Sequence, residues 1–246
     1  MLGGEGPALD GRWALLCFLK APRPGRVKSR LAGHIGEQAA TTLYTKFVEE
    51  TVALALRTRP LLTPVGVVSP DDALPEIRSL LDERLPLWPQ GEGSLGDRML
   101  GAARRAFRGG AERVIIMGSD APDLPLSYLL SAAQRLDRHD LLLGPAIDGG
   151  YYLVAMKRPV EAIFTGISWS TAHVLQQTTA RARAAGMTTG FLPRWRDVDE
   201  PDDLKDLAER LSLRGQQDAL LRAVEEAVRL LPSGSRLDGT TGPTQD

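Results

Sequence analysis

The chain has 246 residues, of which 43% are hydrophobic and 25% charged, with a formal net charge of -1. That is apolar material for one full core, and a single α/β domain of this size is ordinary. The balance of charge excludes the general basic excess of a nucleic-acid binder, and no apolar run approaches the roughly 18 residues of a membrane span.

In chain order, residues 1–11 are rich in glycine and are expected to be a flexible N-terminus. Apolar runs bounded by turn signals predict strands over Ala14 to Leu19, Val65 to Ser69, Leu85 to Trp88, Arg113 to Met117, Asp140 to Leu143, Tyr151 to Met156 and Thr188 to Leu192. Between them, helical spacing of apolar residues marks Glu37 to Arg57 and Asp97 to Phe107. Two amphipathic helices, Asp202 to Leu213 and Gln216 to Leu231, close the body. This alternation predicts a mostly parallel sheet flanked by helices in one domain over residues 12–231, followed by a flexible tail over 232–246. The one cysteine, Cys17, lies inside the first apolar run, where a small core residue is expected; it excludes a disulfide within the chain. No targeting segment is legible, so a cytoplasmic location is the expectation, with no membrane insertion and no nucleic-acid partner. The oligomeric state stays open.

Strand one runs into a loop carrying Lys20, Arg23, Arg26, Lys28 and Arg30, interrupted by Pro22, Pro24 and Gly25. Cations at the carboxyl end of a strand, next to a helix N-terminus, favour a phosphate. The spacing is not that of a P-loop. Further on, Gly91, Gly93 and Gly96 spell Gly-x-Gly-x-x-Gly before a helix, the spacing of a dinucleotide fingerprint. The preceding run, Leu85-Pro86-Leu87-Trp88-Pro89, has prolines that leave little ladder, which argues against hydride transfer. Glycines that open a helix nonetheless keep Gly93, Leu95, Gly96 and Arg98 as nucleotide-contact candidates.

Two acidic turns then follow apolar strands: Gly118-Ser119-Asp120-Ala121-Pro122-Asp123, and Gly144 through Gly150 with Asp148. Carboxylates at the carboxyl ends of buried strands, with glycines that admit a close ligand, point to a hard cation bound together with phosphate. Asp before Pro or Gly reads equally as a turn residue when either loop is taken alone. Ile167 to Thr171 is expected to open a helix with Ser168 or Ser170 as its cap, leaving Trp169 to stack on a ligand or to pack in the core. His34, His139 and His173 lack metal-ligand spacing.

These segments together resemble bacterial proteins of the nucleotide-diphospho-sugar transferase superfamily, of glycosyltransferase A type. The resemblance is particularly to the small group labelled arsenosugar biosynthesis glycosyltransferases and its uncharacterised relatives. The match rests on Phe18 to Leu31, Gly93 to Met99, Gly118 to Pro122 and Gly144 to Leu153, with Asp197 to Leu204 resembling the superfamily's acidic closing motif. The resemblance implies a Rossmann-like α/β sheet and a nucleotide sugar or NTP donor bound by Lys20, Pro22, Gly25, Arg26, Lys28, Arg30, Gly93, Leu95, Gly96 and Arg98. It further implies Mg2+ or Mn2+ on Asp120 with a second carboxylate, Asp199 or Asp197. The closing motif departs from the superfamily's usual pattern at Glu200, where Thr is common, so both acids remain candidates.

Two chemistries are open. In glycosyl transfer to a small-molecule acceptor, Asp120, Asp148 and Lys28 are the catalytic candidates, with Asp148 as base, and Gly149, Gly150, Tyr151 and Trp169 face the acceptor. In nucleotidyl transfer the basic loop holds the departing pyrophosphate; Lys20, Lys28, Ser29, Arg30 and Leu31 match the signature of phospholactate guanylyltransferases, to which the chain has a more distant resemblance. A nucleotide-binding protein without turnover is the third class.

Overall fold

The computed structural model describes residues 12–81, 83–215 and 218–232. The expected N-terminal extension and nearly all of the expected tail lie outside the described residues. Seven strands form one sheet, β1 (Trp13–Lys20), β2 (Thr63–Ser69), β3 (Leu87–Pro89), β4 (Arg113–Met117), β5 (Leu141–Pro145), β6 (Tyr151–Met156) and β7 (Thr189–Phe191), in the order β3-β2-β1-β4-β6-β5-β7. Every pairing is parallel except those of β6, which runs antiparallel to β4 and β5.

Helices cover both faces, which is why the strands read as unbroken apolar runs. On β1, Leu15, Cys17 and Leu19 enter one buried cluster while Ala14 and Leu16 enter the other. The first cluster is closed by α1 (Ser29–Ile35), α2 (Glu37–Leu56), α5 (Leu126–Arg135), α7 (Pro201–Leu213) and α8 (Ala219–Arg229). The second is closed chiefly by α4 (Leu95–Arg108) and α6 (Val174–Ala184), and α3 (Leu74–Leu80) covers a smaller cluster beside β2. Burial pushes the Cys17 thiol up to about 12, so it is a core residue and not a nucleophile.

Local chemistry sets the helix starts that matter for the site. Ser94 and Asp97 form a capping box at the start of α4. Pro201 occupies the first turn of α7, where Asp203 accepts hydrogen bonds from the backbone N–H of Glu200 (3.0 Å) and of Asp199 (3.2 Å). The expected helix over 167–171 begins later, at Val174. Ser170 takes a left-handed backbone (φ 61°) four residues before that helix begins, and the Ser168 hydroxyl accepts from the Gln177 amide instead of capping. The strand expected at Leu85 to Trp88 is only three residues long and is an edge strand, as its prolines require.

One buried carboxylate ties helix α7 to the turn after β4. The Asp123 side chain is 0% exposed. It accepts from Arg210 (Nε at 2.9 Å), Arg214 (Nη2 at 3.1 Å) and the Trp195 indole (3.1 Å). Asp123→Ala leaves two guanidinium groups without their shared partner, so a loss of about 3 kcal/mol or more is expected in urea unfolding. A loss under about 1 kcal/mol would show that α7 does not depend on this contact.

Candidate active site

The order of strands reverses at β1: β2 and β3 are added on one side, β4 and the rest on the other, all of β1 to β4 running parallel. The crevice above the carboxyl ends of β1 and β4 is therefore the topological switch point of the sheet. The basic loop leaves β1 there, and the Gly118–Asp120 turn leaves β4 beside it.

Lys28 is the centre of this crevice. It precedes α1 with a left-handed backbone (φ 46°), uncommon for a residue with a side chain, and its side chain is only 2% exposed. The ammonium donates to Asp120 Oδ1 and, at 2.9 Å, to Asp199 Oδ1. It lies 5.9 Å from the Tyr44 ring centre and 5.5 Å from that of Phe47. Burial alone would lower the lysine's pKa, but the two carboxylates outweigh it and hold the group charged well above its ordinary value. Asp120 shows the mirror of this: burial works to raise its pKa, and the Lys28 charge and hydrogen bond hold it below the usual carboxylate range. Both carboxylates are about half exposed, 45% for Asp120 and 46% for Asp199, so the cation sits beneath an acidic surface that faces the crevice.

Asp197 and Asp148 bring the cluster to four aspartates. Asp197 Oδ1 is buried without a hydrogen-bond partner, and burial, then the charges of Asp120, Asp148 and Asp199, push its pKa up to about 8. The position of the acids comes from the backbone: Val198 N–H donates to the Asp120 carbonyl at 2.9 Å, joining the closing motif to the β4 turn. Tyr44 braces the other side. Its hydroxyl accepts from the Lys20 amide (3.1 Å) and shares a hydrogen bond with Ser119 Oγ (2.7 Å), and burial first, then the Asp120 charge, push the phenol up to about 12.

The donor-set chemistry bears on a metal. No group of three His, Cys, Asp or Glu side chains with metal-holding geometry occurs among the described residues. Asp120 and Asp199 nevertheless already share one cation, and the orphaned Asp197 oxygen lies in the same acidic cluster. Two carboxylates completed by donor phosphates are an ordinary Mg2+ or Mn2+ arrangement, so the residues fit the ion. Lys28 pairs with Asp199 and not with Asp197, so Asp120 and Asp199 present one carboxylate oxygen each to the same cation.

The basic loop divides its charges. Arg23 is held by Glu76 (2.9 Å) and Asp72 (3.3 Å), Arg30 by Glu200 (3.0 Å), and Lys28 by the acids. Lys20 and Arg26 form no ion pair among the described residues and are exposed at the loop. Pro22 is half-buried, and Gly25 (φ 70°) turns the chain within van der Waals reach of Glu37. On the far side of β1, Arg98 donates to Gln90 Oε1 at 2.9 Å, while the Gln90 amide donates to the carbonyls of Val67 (3.0 Å) and Leu19 (3.3 Å). That network sets Arg98 on the rim of β1 and β2. Gly93 is exposed and left-handed (φ 97°) beside the capping box, and Leu95 is half-buried at the helix start.

Several expected site residues have a packing role in this structure. A Cβ on Gly96 would stand 2.3 Å from the Phe164 carbonyl and 2.9 Å from the Trp169 indole nitrogen, so α4 approaches that loop only because residue 96 is glycine. Trp169 and Tyr151 meet edge to face at 6.3 Å on the α4 and α6 side. Gly149, with φ 92°, lets the Ala172 backbone pass, and Gly150 donates its N–H to Asp148 Oδ1 at 2.9 Å. Tyr44, Gln90 and Asp123 were not singled out from the sequence. Tyr44 shares the helical spacing of its buried neighbours, so its polar end had no distinguishing signal.

With this geometry in view, the likenesses to known proteins are specific. The DUF2064 family, described as an uncharacterized protein conserved in bacteria, matches residues 52–171. No curated protein matches the chain. A solved structure from Desulfovibrio desulfuricans G20, described as a "putative nucleotide-diphospho-sugar transferase", is 33% identical over 89% of this chain and 96% of its own, with a TM-score of 0.81. The chain belongs to the nucleotide-diphospho-sugar transferase superfamily. More distant members share this transferase fold alone. CMP:2-keto-3-deoxy-manno-octonic acid synthetase complexed with CTP is 12% identical over 83% of this chain and 100% of its own, with a TM-score of 0.53. The 4-diphosphocytidyl-2C-methyl-D-erythritol synthase of Anaerococcus prevotii is 10% identical over 82% and 100%, with a TM-score of 0.54. No helix among the described residues is long and apolar enough to cross a membrane.

Asp197 makes a stability prediction. Its carboxyl binds its proton more tightly in the folded state, so the stability it contributes is full below about pH 4 and is lost as pH rises towards 8. In chelator-treated protein, Asp197→Asn is therefore expected to melt progressively above wild type between pH 5 and 8, by about 3 °C, which corresponds to roughly 1 kcal/mol for a chain of this size. A difference that does not change with pH would overturn the crowded-acid account.

Proposed function

We propose that the protein transfers a sugar from a nucleoside-diphosphate sugar to a small-molecule acceptor. The observation that carries this reading is the buried Lys28 ammonium joining Asp120 to Asp199, with the Lys20 charge acting on Asp120 and Arg26 exposed on the same loop. An excess of carboxylate beside unpaired cations suits a ligand that is itself a cation bound to phosphate. Asp120 and Asp199 would hold Mg2+ or Mn2+ against the donor diphosphate, and the ion would supply charge neutralisation of the leaving group.

The chain's own groups divide the remaining work. Lys28 keeps the two carboxylates together before the donor arrives, and the charge of Lys20 adds to that of Lys28 in keeping Asp120 ionised. Lys20 and Arg26 grip the diphosphate, and Arg98 faces the donor from the rim of β1 and β2. The acceptor hydroxyl oxygen forms the new bond to the anomeric carbon as the bond from that carbon to the diphosphate oxygen breaks. The hydroxyl proton passes to Asp148, which the Gly150 N–H holds in place, and the nucleoside diphosphate departs. The free cations of the basic loop favour a second reading, nucleotidyl transfer, in which an acceptor phosphate attacks the α-phosphorus and pyrophosphate leaves towards Lys20 and Arg26.

Nucleotide sugars and nucleoside triphosphates, each with and without Mg2+ or Mn2+, separate the two by calorimetry and by the product formed: nucleoside diphosphate in the first case, pyrophosphate in the second. Asp120→Asn is expected to lose the metal-dependent part of donor affinity, at least about tenfold, and to lower the melting temperature while still folding, because Lys28 keeps only Asp199 as a charged partner. Undiminished metal-dependent affinity in that variant would remove the central assignment. Lys20→Ala and Arg26→Ala are expected to weaken a nucleoside diphosphate several-fold and the free nucleoside hardly at all. Equal losses for both ligands would place the grip elsewhere.

A further inference from the structure

Beyond β5, the chain continues through Ala146 and Ile147 as an extra parallel bridge to Trp195. Trp195 N–H donates to the Pro145 carbonyl at 3.0 Å, and Ile147 N–H donates to the Trp195 carbonyl at 3.1 Å. This bridge sets two short segments side by side, one running into Asp148 and the other into Asp197, both members of the acidic cluster. Helix α7 crosses beside them with Asp206 and Arg210. Between these elements lies a cavity of about 210 Å³ lined by Ile147, Arg194, Trp195, Arg196, Asp206 and Arg210.

The lining has a surplus of positive charge. Arg210 is committed to Asp123 and Asp206, and Arg196 stands 3.4 Å from that same Asp206. Arg194 is exposed and makes no hydrogen bond or ion pair among the described residues. Asp206 is therefore shared by two guanidinium groups, and a third has no partner. The opposite wall is apolar. Ile147 is 54% exposed, unusual for a side chain of its size, and the Trp195 indole N–H is already occupied by Asp123, leaving only its ring to a ligand. An unpaired guanidinium facing an apolar wall suits a small molecule with an oxyanion at one end.

We infer that this cavity is the acceptor subsite and that the acceptor is a small oxyanion, a phosphate monoester or a carboxylate, anchored by Arg194 with Arg196. The inference rests on the transferase reading and deepens it. An anionic acceptor is otherwise disfavoured next to Asp148, Asp197 and Asp199, and Arg196, one residue before Asp197, and Arg194, three before it, bring positive charge beside those acids. The anchor leaves the other end of the acceptor directed along the bridge towards Asp148. None of this depends on Tyr151 or Trp169, which pack on the opposite face of the sheet.

The test uses the full chain, labelled at its indole nitrogens. It contains four tryptophans, and the Trp195 signal is assigned by its loss in Trp195→Phe. Glycerol 3-phosphate and glycerate are titrated separately, with glycerol as the neutral control. Saturable movement of the Trp195 signal with either oxyanion and none with glycerol is expected, and which oxyanion binds more tightly distinguishes phosphate from carboxylate. Arg194→Glu is expected to weaken that binding at least about tenfold while nucleotide affinity stays as in wild type. An unmoved Trp195 signal with both oxyanions overturns the inference. So does oxyanion binding that survives Arg194→Glu but is lost in Lys20→Ala or Arg26→Ala, because the anion is then in the donor loop. Failure of the transferase reading itself has a different signature: no nucleotide binds the wild-type chain, whatever happens at Trp195.

Discussion

The Lys28 ion triad is the constraint on which the site depends. Burying an ammonium group alone costs several kcal/mol, and crowding four aspartates into one crevice is unfavourable for the opposite reason. Each problem is the other's remedy: the lysine stays charged because Asp120 and Asp199 flank it, and Asp120 stays ionised because the lysine lies beneath it. Removing any one partner leaves a charge uncompensated. Asp197, which the lysine does not touch, retains the strain as a carboxyl that resists ionisation.

Such a triad needs its members delivered from distant parts of the chain with little freedom. Lys28 comes from the loop after β1, Asp120 from the turn after β4, and Asp199 from the entrance to α7. Parallel pairing of β1 with β4 sets the first two side by side. The third depends on α7 being docked. Asp123, buried three residues beyond Asp120, binds Arg210, Arg214 and Trp195, so one carboxylate that takes no part in chemistry positions the closing motif against the turn that carries Asp120. The capping contacts of Asp203 to the amides of Glu200 and Asp199 then orient the last segment.

The same bridge that leads into the acids also separates the two charge environments of the crevice. Lys20 and Arg26 are exposed without ion pairs among the described residues on the loop after β1, while Arg194 and Arg196 flank Trp195, with Arg196 paired to Asp206. Trp195 links the parts physically, since its backbone extends β5, its indole N–H binds Asp123, and its ring stacks edge-on against Tyr128 at 5.2 Å.

Much of the fold was legible in the order of residues. The Arg113–Met117 and Tyr151–Met156 strands fall where the apolar runs place them, because a strand buried on both faces is apolar along its whole length. The acidic turns and the basic loop were legible because they sit at strand ends, where chain direction alone decides which end of the sheet they occupy. The antiparallel course of β6, the late start of α6 and the packing roles of Gly96, Trp169 and Tyr151 were not, since each depends on what lies across space. By itself the sequence determined the fold class and the kinds of charge at the rim. Only the tertiary structure decided which charges neutralise one another. Arg23 and Arg30 are spent on Glu76 and Glu200, Lys28 on two aspartates, and Lys20, Arg26 and Arg194 are left over. Pairing of that kind is a matter of distance between residues up to 171 positions apart, which composition and periodicity do not encode.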